Sequence, residues 1–165
     1  MKARYTHTNI VARDWRRLAG FYQHVFGCVP VPPERHLEGE WLATATGVAG
    51  AALSGMHLKL PGYGDEGPTL EIFEYSSVLS SLPTAANRQG LGHIAFSVDD
   101  VSAALSAVVA NGGRTIGDVV ERSIAGVGVL TFTYAADPEG NMIELQHWGV
   151  EANASAREEK PDDRS

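Results

Sequence analysis

Residues 91–113, LGHIAFSVDDVSAALSAVVANGG, carry the pattern that decides the fold. A β-type segment is followed by aspartates that can cap a helix, and paired glycines end that helix. Residues 5–27, YTHTNIVARDWRRLAGFYQHVFG, show the same order of strand, cap, helix and glycine. Adding 86 to a position in the first copy gives its counterpart, which pairs His7 with His93, Asp14 with Asp100 and Gly27 with Gly113. The sequence therefore predicts an internal duplication.

The first copy continues through alternating apolar segments, which predict a β-α-β-β-β module. Its predicted elements are a strand within 4–12, a helix over 15–26, and strands at 51–60 and 69–75. The segment VPVPPERHLEGE (29–40) is rich in proline and is predicted to be a loop. The segment EWLATAT (40–46) is predicted to be a short helix that ends at Gly47.

The second copy repeats this order with less chain. Its predicted elements are a strand at 91–98, a helix over 101–111, and strands near 114–120, 127–135 and 141–148, with a DPEG turn at 137–140. Glu71 and Glu144, in the two last strands, lie 73 residues apart, 13 fewer than the offset of 86. The first module is therefore longer, and the extra residues are predicted to lie within 32–50.

Composition and charge exclude several classes of protein. The 165 residues carry 20 acidic and 13 basic side chains, for a net charge of −7, which disfavours nucleic-acid binding. No apolar run is long enough for a membrane span, and the N-terminus has no signal-peptide pattern. The one cysteine, Cys28, is predicted to be a small buried side chain. These features favour a cytoplasmic protein that acts on a small molecule.

Four side chains of metal-ligand type occupy matching places in the two modules. They are a histidine on each first strand and a glutamate on each last strand: His7, His93, Glu71 and Glu144. Strand alternation puts all four on the sheet face away from the helices, because Leu70 and Ile72 flank Glu71 on the other face. Two modules that curl into a cup would collect two imidazoles and two carboxylates. Two nearby carboxylates need a compensating cation, and this donor set suits a divalent first-row metal ion.

Other side chains on the same faces are candidates for substrate contact. They are Asn9, His57, Phe73, Tyr75 and Trp148. The ordinary alternative is that the aromatic members fill the core and that each histidine is a surface or packing residue. His57 is the strongest candidate among the remaining histidines, because its strand is predicted to line the cup.

The segments HTNIVARDWRRLAGFYQHVFG, LEIFEY, GLGHIAFSVDD and ADPEGNMIEL together resemble the vicinal oxygen chelate superfamily, also called the glyoxalase/bleomycin-resistance/extradiol-dioxygenase superfamily. The resemblance covers residues 4–148. It implies an α+β fold in which two βαβββ modules, 4–75 and 91–148, form an open β-cup with helices outside. Residues 1–148 are then one domain, and 149–165 are predicted to be a disordered tail. The resemblance also implies a homodimer.

The resemblance implies that the metal ligands come from the first and last strands of both modules, which are His7, Glu71, His93 and Glu144 here. Glyoxalase I has an arginine four residues after its first ligand and an asparagine four residues after its first glutamate. This chain has Val11 and Tyr75 at those positions, with Arg13 and Arg88 as alternative cations for glutathione. Methylmalonyl-CoA epimerase has glutamine at its second ligand and HPK where this chain has ADPEG.

The four ligand-type residues favour a metal-dependent lyase or isomerase of the glyoxalase or epimerase type. Its substrate would be a small molecule with vicinal oxygens that reacts through an enediolate or enolate, with Glu71 or Glu144 as the catalytic base. The cofactor would be one divalent metal ion, with zinc, nickel, cobalt, manganese and iron all open. Two alternatives are an extradiol-type dioxygenase, in which Glu71 would not coordinate, and a non-catalytic small-molecule (drug) binding protein.

Overall fold

The computed structural model describes residues 1–150 and shows a mixed α+β chain. The first module contains four strands and two helices. Its elements are β1 (His7–Val11), α1 (Trp15–Phe26), β2 (Val29–Glu38), α2 (Glu40–Thr46), β3 (Ala52–Lys59) and β4 (Thr69–Tyr75). Its sheet has the order β1-β4-β3-β2, with β1 parallel to β4.

The second module repeats this topology around a single helix. Its elements are β5 (Ile94–Ser97), α3 (Val101–Ala110), β6 (Arg114–Thr115), β7 (Val120–Ile124), β8 (Gly128–Ala136) and β9 (Met142–Gly149). The order β5-β9-β8-β6 places the first strand parallel to the last strand, as in the first module, and β7 also pairs with β8. Helix α2 lies within the segment 32–50, where the extra length of the first module was predicted.

The predicted helix signals are confirmed. The Asp14 carboxylate accepts a hydrogen bond from the Arg17 backbone N–H at 3.0 Å, and Asp100 accepts one from the Ala103 N–H at 2.9 Å. Each cap satisfies a backbone donor that the first helical turn leaves without a partner. Gly27 ends α1 at φ +68°, in the left-handed region that favours glycine.

One hydrophobic core joins the two modules. It combines the inward faces of α1 and α3 with the helix-facing residues of both sheets, which include Leu70, Ile72, Ile143 and Leu145. The rings of Phe26 on α1 and Phe96 on β5 stack with centroids 3.9 Å apart across the module boundary. Both helices therefore pack on the sheet faces opposite the candidate ligands.

The predicted loop at 29–40 is wrong, because the structure has strand β2 over Val29–Glu38. This strand lies at the edge of its sheet and pairs with β3 alone. Proline lacks a backbone N–H, but an edge strand has one side that needs no donor. The register shifts between Val31 and Arg35, around the pair Pro32 and Pro33. The prolines therefore lead a propensity argument to predict a loop, although they do not prevent the strand from forming.

Some side-chain expectations also change. Phe73 is buried, but Trp148 is 42% exposed and lies outside the core. Cys28 is a free, buried thiol, as predicted. Within residues 1–150, no helix is long and apolar enough to cross a membrane. The predicted tail at 149–165 lies outside the described residues from position 151 onward.

Candidate metal centre

Glu71 lies at the middle of β4 and is the centre of the candidate site. Its neighbours Leu70 and Ile72 belong to the core, so strand alternation turns the Glu71 carboxylate to the opposite face of the sheet. The side chain is only 13% exposed. A carboxylate with so little water around it requires donors or a cation to compensate its charge.

His57 lies directly opposite Glu71 in the antiparallel pairing of β3 with β4. Its Nε2 atom lies 2.9 Å from Glu71 Oε1. Its Nδ1 atom lies 3.0 Å from the Thr69 hydroxyl oxygen. The ring is thus held at both nitrogens, one by the carboxylate and one by a hydroxyl from the same strand as that carboxylate.

His7 approaches Glu71 from the neighbouring strand β1. The distance from His7 Nε2 to Glu71 Oε2 is 3.6 Å, and the His7 and His57 rings meet edge to face at 5.6 Å. The Asn9 amide nitrogen donates to Glu71 Oε2 at 2.8 Å. Strands β1 and β3 therefore supply three side chains that converge on a carboxylate of β4.

The electrostatic setting of His57 favours the neutral imidazole. Burial lowers the pKa of His57 below its usual value, and the nearby His7 and Arg35 act in the same direction. Glu71 opposes this shift, since its negative charge stabilises the protonated ring. A neutral imidazole is the form that binds a metal ion.

The second module places Glu144 in the same way, between Ile143 and Leu145 of the core. Its side chain is 15% exposed, and His93 Nε2 lies 3.1 Å from Glu144 Oε2. The residue opposite Glu144 on β8 is Tyr134, whose ring centroid lies 5.2 Å from that of His93. Burial, together with the charge of Glu144 and a hydrogen bond to it, raises the pKa of Tyr134.

The two modules differ at the position opposite the last-strand glutamate. His57 faces Glu71 across β3 and β4, and Tyr134 faces Glu144 across β8 and β9. The first module therefore presents two imidazoles and a carboxylate, and the second presents one imidazole, a carboxylate and a phenol.

The four predicted ligands form two pairs in one chain: His7 with Glu71, and His93 with Glu144. Within residues 1–150, the group of three or more ligand-type residues whose ligand atoms all lie within 4.8 Å of one another is His7, His57 and Glu71. His93 and Glu144 are not part of this group. The structure thus adds His57 to the first pair and keeps the second pair separate.

The other predicted contact residues lie in different surroundings. Asn9 bonds Glu71, as described above, and His57 belongs to the three-residue group. Phe73 packs in a small cluster with Leu42, Ala51 and Leu53, against which Tyr75 also packs. The Trp148 indole N–H donates to Gln146 Oε1 at 3.1 Å.

A cavity of about 270 Å³ lies beside the second pair. Its lining includes Asn9 from β1, His93, Asn141 and the connector residues Leu82 and Arg88. The Arg88 side chain donates from Nε to the Pro83 carbonyl oxygen at 3.1 Å. A small polar molecule in this cavity would contact both a candidate ligand of the second module and a residue bonded to Glu71.

Sequence reasoning did not assign His57 or Tyr134 to the candidate metal centre. The duplication identified positions that carry the same type of residue in both modules, whereas His57 and Tyr134 are residues of different types. Their place opposite a glutamate depends on the register between strands, which strand alternation alone does not give. The sequence did single out His57 as a candidate for substrate contact, because its strand, MHLKL, is predicted to line the cup.

The donor set of the first module fits a divalent metal ion. Bonds of about 2.0–2.2 Å to nitrogen and oxygen place neighbouring ligand atoms roughly 3 Å apart. The distances of 2.9 Å from His57 to Glu71 and 3.6 Å from His7 to Glu71 are close to that spacing. Imidazole nitrogen and carboxylate oxygen suit zinc, iron, cobalt, nickel and manganese, so the chemistry leaves the metal open.

Comparison with known proteins identifies the family. The model of the Glyoxalase/Bleomycin resistance protein/Dioxygenase superfamily matches residues 4–145. A probable lactoylglutathione lyase of Vibrio parahaemolyticus is 30% identical over 147 residues, which cover 86% of this chain and 88% of that protein.

Solved structures show the same fold at lower identity. A glyoxalase family protein from Bacillus cereus has a TM-score of 0.75 at 20% identity, covering 90% of this chain and 95% of its own. A glyoxalase/bleomycin resistance protein/dioxygenase domain from Frankia sp. EAN1pec has a TM-score of 0.53 at 15% identity, covering 93% and 96%. With its two βαβββ modules and a family match over most of its length, this chain belongs to the glyoxalase/bleomycin resistance protein/dioxygenase superfamily.

Proposed function

We propose that this protein is a metal-dependent lyase or isomerase that acts on a small substrate with two adjacent oxygens. The observation that carries the proposal is Glu71, a mostly shielded carboxylate with two imidazole nitrogens at 2.9 and 3.6 Å. A second shielded carboxylate, Glu144, has an imidazole at 3.1 Å. Carboxylates in such surroundings are suited both to metal binding and to proton transfer.

His7, Glu71, His93 and Glu144 are the proposed metal ligands. A bound divalent ion would act as a Lewis acid that polarises the substrate carbonyl and favours loss of a proton from the adjacent carbon. The related protein named probable lactoylglutathione lyase supports chemistry of this kind.

Proton transfer is the proposed task of Glu71 and Glu144. Each carboxylate takes the proton from the carbon next to the substrate carbonyl or returns it, depending on which side of the substrate it faces. The Tyr134 phenol beside Glu144 has a raised pKa and stays protonated, so it can donate a hydrogen bond to that carboxylate. His93 and Tyr134 thereby hold Glu144 in position.

The identity of the substrate is a separate question. Positions that hold glutathione in glyoxalase I carry Val11 and Tyr75 here. Val11 is exposed and cannot bind a carboxylate, and Tyr75 packs against the Phe73 cluster. We therefore propose lyase or isomerase chemistry without assigning glutathione as the carrier.

The test has two arms. Metal content is measured after purification without chelator and after reconstitution, and about one equivalent is expected. Metal-loaded protein is then incubated in deuterated water with acyl-CoA, hemithioacetal and catechol panels, and exchange at carbon is followed by NMR. Glu71→Gln or Glu144→Gln should lower the exchange rate about 100-fold or more, the usual scale of a lost general base.

A matched control is Glu74→Gln, on the same strand as Glu71. Glu74 faces the helix side, where it accepts a hydrogen bond from the Trp15 N–H at 3.3 Å, so its loss should leave exchange unchanged. Unchanged exchange in both Glu71→Gln and Glu144→Gln would contradict the proposed roles. A chain that takes up no divalent metal would contradict the metal dependence.

An extradiol-type dioxygenase is the second candidate, and one observation favours it. His7, His57 and Glu71 form a group of two histidines and one carboxylate, the ligand set of many non-haem iron oxygenases. This differs from the sequence expectation for a dioxygenase, in which Glu71 does not coordinate, because here Glu71 is the carboxylate of the group and Glu144 lies outside it. Ferrous protein incubated with catechols and oxygen would then give a yellow ring-cleavage product. If metal-free protein instead binds apolar drug-sized ligands and Glu71→Ala leaves that binding unchanged, the binding-protein alternative is correct.

The homodimer and the cytoplasmic location stay predictions. Light scattering behind size-exclusion chromatography should give twice the chain mass of 17.6 kDa. Fractionation of the source cells tests the location.

A further inference from the structure

We propose that His57 is a positioning residue, which orients the Glu71 carboxylate toward the metal ion by donating a hydrogen bond to one of its two oxygens. This role rests on the proposed function and keeps its four metal ligands, His7, Glu71, His93 and Glu144. His57 then lies outside the coordination of the ion and acts on it through Glu71 alone.

The two oxygens of the Glu71 carboxylate have different surroundings. Oε1 lies 2.9 Å from His57 Nε2. Oε2 accepts a hydrogen bond from the Asn9 amide at 2.8 Å and lies 3.6 Å from Nε2 of the proposed ligand His7. A carboxylate oxygen has two lone pairs, so the bond from Asn9 leaves one lone pair on Oε2 for a metal ion next to His7. Oε1 is therefore the oxygen that His57 holds, and Oε2 is the oxygen that remains for the metal.

The Thr69 hydroxyl determines which nitrogen of His57 carries the proton. This hydroxyl oxygen lies 3.0 Å from His57 Nδ1. When the hydroxyl donates to Nδ1, the neutral ring carries its proton on Nε2, and that N–H donates to Glu71 Oε1. The other tautomer would place the Nε2 lone pair against a carboxylate oxygen only 2.9 Å away, which is repulsive. The hydrogen bonds therefore run from the hydroxyl to the ring and from the ring to the carboxylate.

The second module has a donor of a different type at the matching position. Tyr134 lies opposite Glu144, as His57 lies opposite Glu71, and the Tyr134 phenol is hydrogen-bonded to Glu144. A protonated phenol and an imidazole N–H share the ability to donate to a carboxylate. Both modules thus pair the last-strand glutamate with a donor from the preceding strand. Such partners orient the side chains that bind a metal, and the loss of one commonly costs about 10–100-fold in affinity.

The experiment combines three measurements on the intact chain. Calorimetry gives the affinity for Co²⁺ and Zn²⁺, the visible spectrum reports the ligands of bound Co²⁺, and nitrogen NMR reports the tautomer of His57 in the metal-free and Zn²⁺-loaded protein. Wild type should show the proton on Nε2 in both states. His57→Leu removes the donor and should lower the Co²⁺ affinity about 10–100-fold. The Co²⁺ bands should keep their positions, because every ligand is still present.

His57→Gln separates a donor from a ligand. The glutamine amide restores an N–H group for Glu71 but not an imidazole nitrogen for a metal. This variant should bind Co²⁺ about tenfold or more tightly than His57→Leu. Thr69→Val should weaken Co²⁺ binding, and Thr69→Ser, which keeps the hydroxyl, should restore both the affinity and the proton on Nε2.

The matched control is His36→Leu, on the adjacent strand β2. The ring of His36 lies 3.0 Å from the Ser54 hydroxyl, a pairing like that of His57 with Thr69, but it makes no contact with Glu71. This variant should leave the Co²⁺ affinity and the spectrum unchanged. Circular dichroism of the metal-free variants checks the fold. If His57→Leu does not fold, the Thr69 pair of variants gives the answer, because it leaves both His57 and Glu71 in place.

The outcomes separate the two proposals. If His57→Gln binds Co²⁺ as weakly as His57→Leu and the bands shift, His57 is a ligand, and the positioning role is overturned while the metal dependence stands. The same holds if His57→Leu binds Co²⁺ as tightly as wild type, or if NMR places the proton on Nδ1. If wild type binds neither metal, the proposed function fails, and the positioning role fails with it.

Discussion

Asp137 is a buried carboxylate that ties the turn between β8 and β9 to helix α1. Its Oδ1 atom accepts from the backbone N–H groups of Glu139 and Asn141, both at 2.9 Å. Its Oδ2 atom accepts from the Tyr22 hydroxyl at 3.0 Å and from the Asn141 amide at 2.8 Å. One side chain thus satisfies four donors from both modules.

Asp137→Ala should lower the free energy of unfolding by at least about 2 kcal/mol, because it leaves buried donors without acceptors. Urea denaturation followed by circular dichroism measures this loss. The control Tyr22→Phe removes one hydrogen bond and should cost about 1 kcal/mol. An Asp137→Ala protein as stable as wild type would show that water replaces the carboxylate fully.

The same residue predicts a dependence of stability on pH. Burial raises the pKa of Asp137 above its usual value of 3.8, although hydrogen bonds from Asn141, Glu139 and Tyr22 lower it in part. The folded state therefore binds this proton more tightly than the unfolded state. The stability contribution of Asp137 falls as pH rises from 3.8 to the folded pKa and is constant above it. The difference in the free energy of unfolding between wild type and Asp137→Asn, measured by urea denaturation across that pH window, should show this decrease. A difference that does not change with pH would contradict the prediction.

Cys28 should be chemically inert in the folded protein. It is 3% exposed, and burial raises the pKa of its thiol to about 11. Because the thiolate is the reactive form, a disulfide reagent at neutral pH should label Cys28 slowly in buffer and rapidly in guanidinium chloride. Equal rates in the two solvents would mean that the site opens readily.

At the residue scale, the sequence predicts features that depend on residue type and on the periodicity of strands and helices. The duplication located His7 near Glu71 and His93 near Glu144, because first and last strands are adjacent in this topology. The duplication gave no reason to add His57 to a metal group, because the residue at the matching position of the second module is Tyr134. Whether four ligands meet depends on how two curved sheets are placed, which single-strand patterns do not determine.

At the scale of elements, the helices were predictable and one strand was not. Helix α1 begins after Asp14 and ends at Gly27 as predicted, because caps act locally through the backbone. Strand β2 is stabilised by its pairing with β3, a contact distant in sequence. Such tertiary pairing outweighs the low β-propensity of a segment with several prolines.

Gly55 in β3 is required for close packing in the first sheet. A Cβ atom built there would overlap the Ile72 carbonyl oxygen and the Phe73 ring. Gly55→Ala should therefore lower the free energy of unfolding by about 1–3 kcal/mol, the range of other overpacking substitutions. Thermal and urea unfolding give the value.

The matched control is Gly64→Ala, in the loop between β3 and β4. A Cβ atom at Gly64 meets nothing within 4 Å, and its backbone needs no positive φ. The free energy of unfolding of Gly64→Ala should stay within about 0.5 kcal/mol of the wild-type value. If both alanine variants behave alike, the β4 backbone at Ile72 and the ring of Phe73 have both moved aside at little cost.

At the scale of the whole molecule, the shared core makes the two modules one folding unit. The stacked rings of Phe26 and Phe96 and the bond from Tyr22 to Asp137 cross the module boundary. Separating the modules would expose apolar surface of both helices, which is unfavourable. Anything that stabilises the first module should therefore stabilise the second.

Metal binding should raise the melting temperature of the whole chain. A ligand at 100 times its dissociation constant adds about 2.7 kcal/mol, which corresponds to roughly 5–10 °C for a chain of this size. Tryptophan fluorescence can follow the unfolding of each module in a variant that keeps a single tryptophan. Trp15 in α1 reports the first module and is 3% exposed, and Trp148 in β9 reports the second module and is 42% exposed. Both should report the same shift on adding Zn²⁺, and Glu71→Gln should abolish it in both. A shift seen by Trp15 alone would mean that the modules unfold independently, despite the core that joins them.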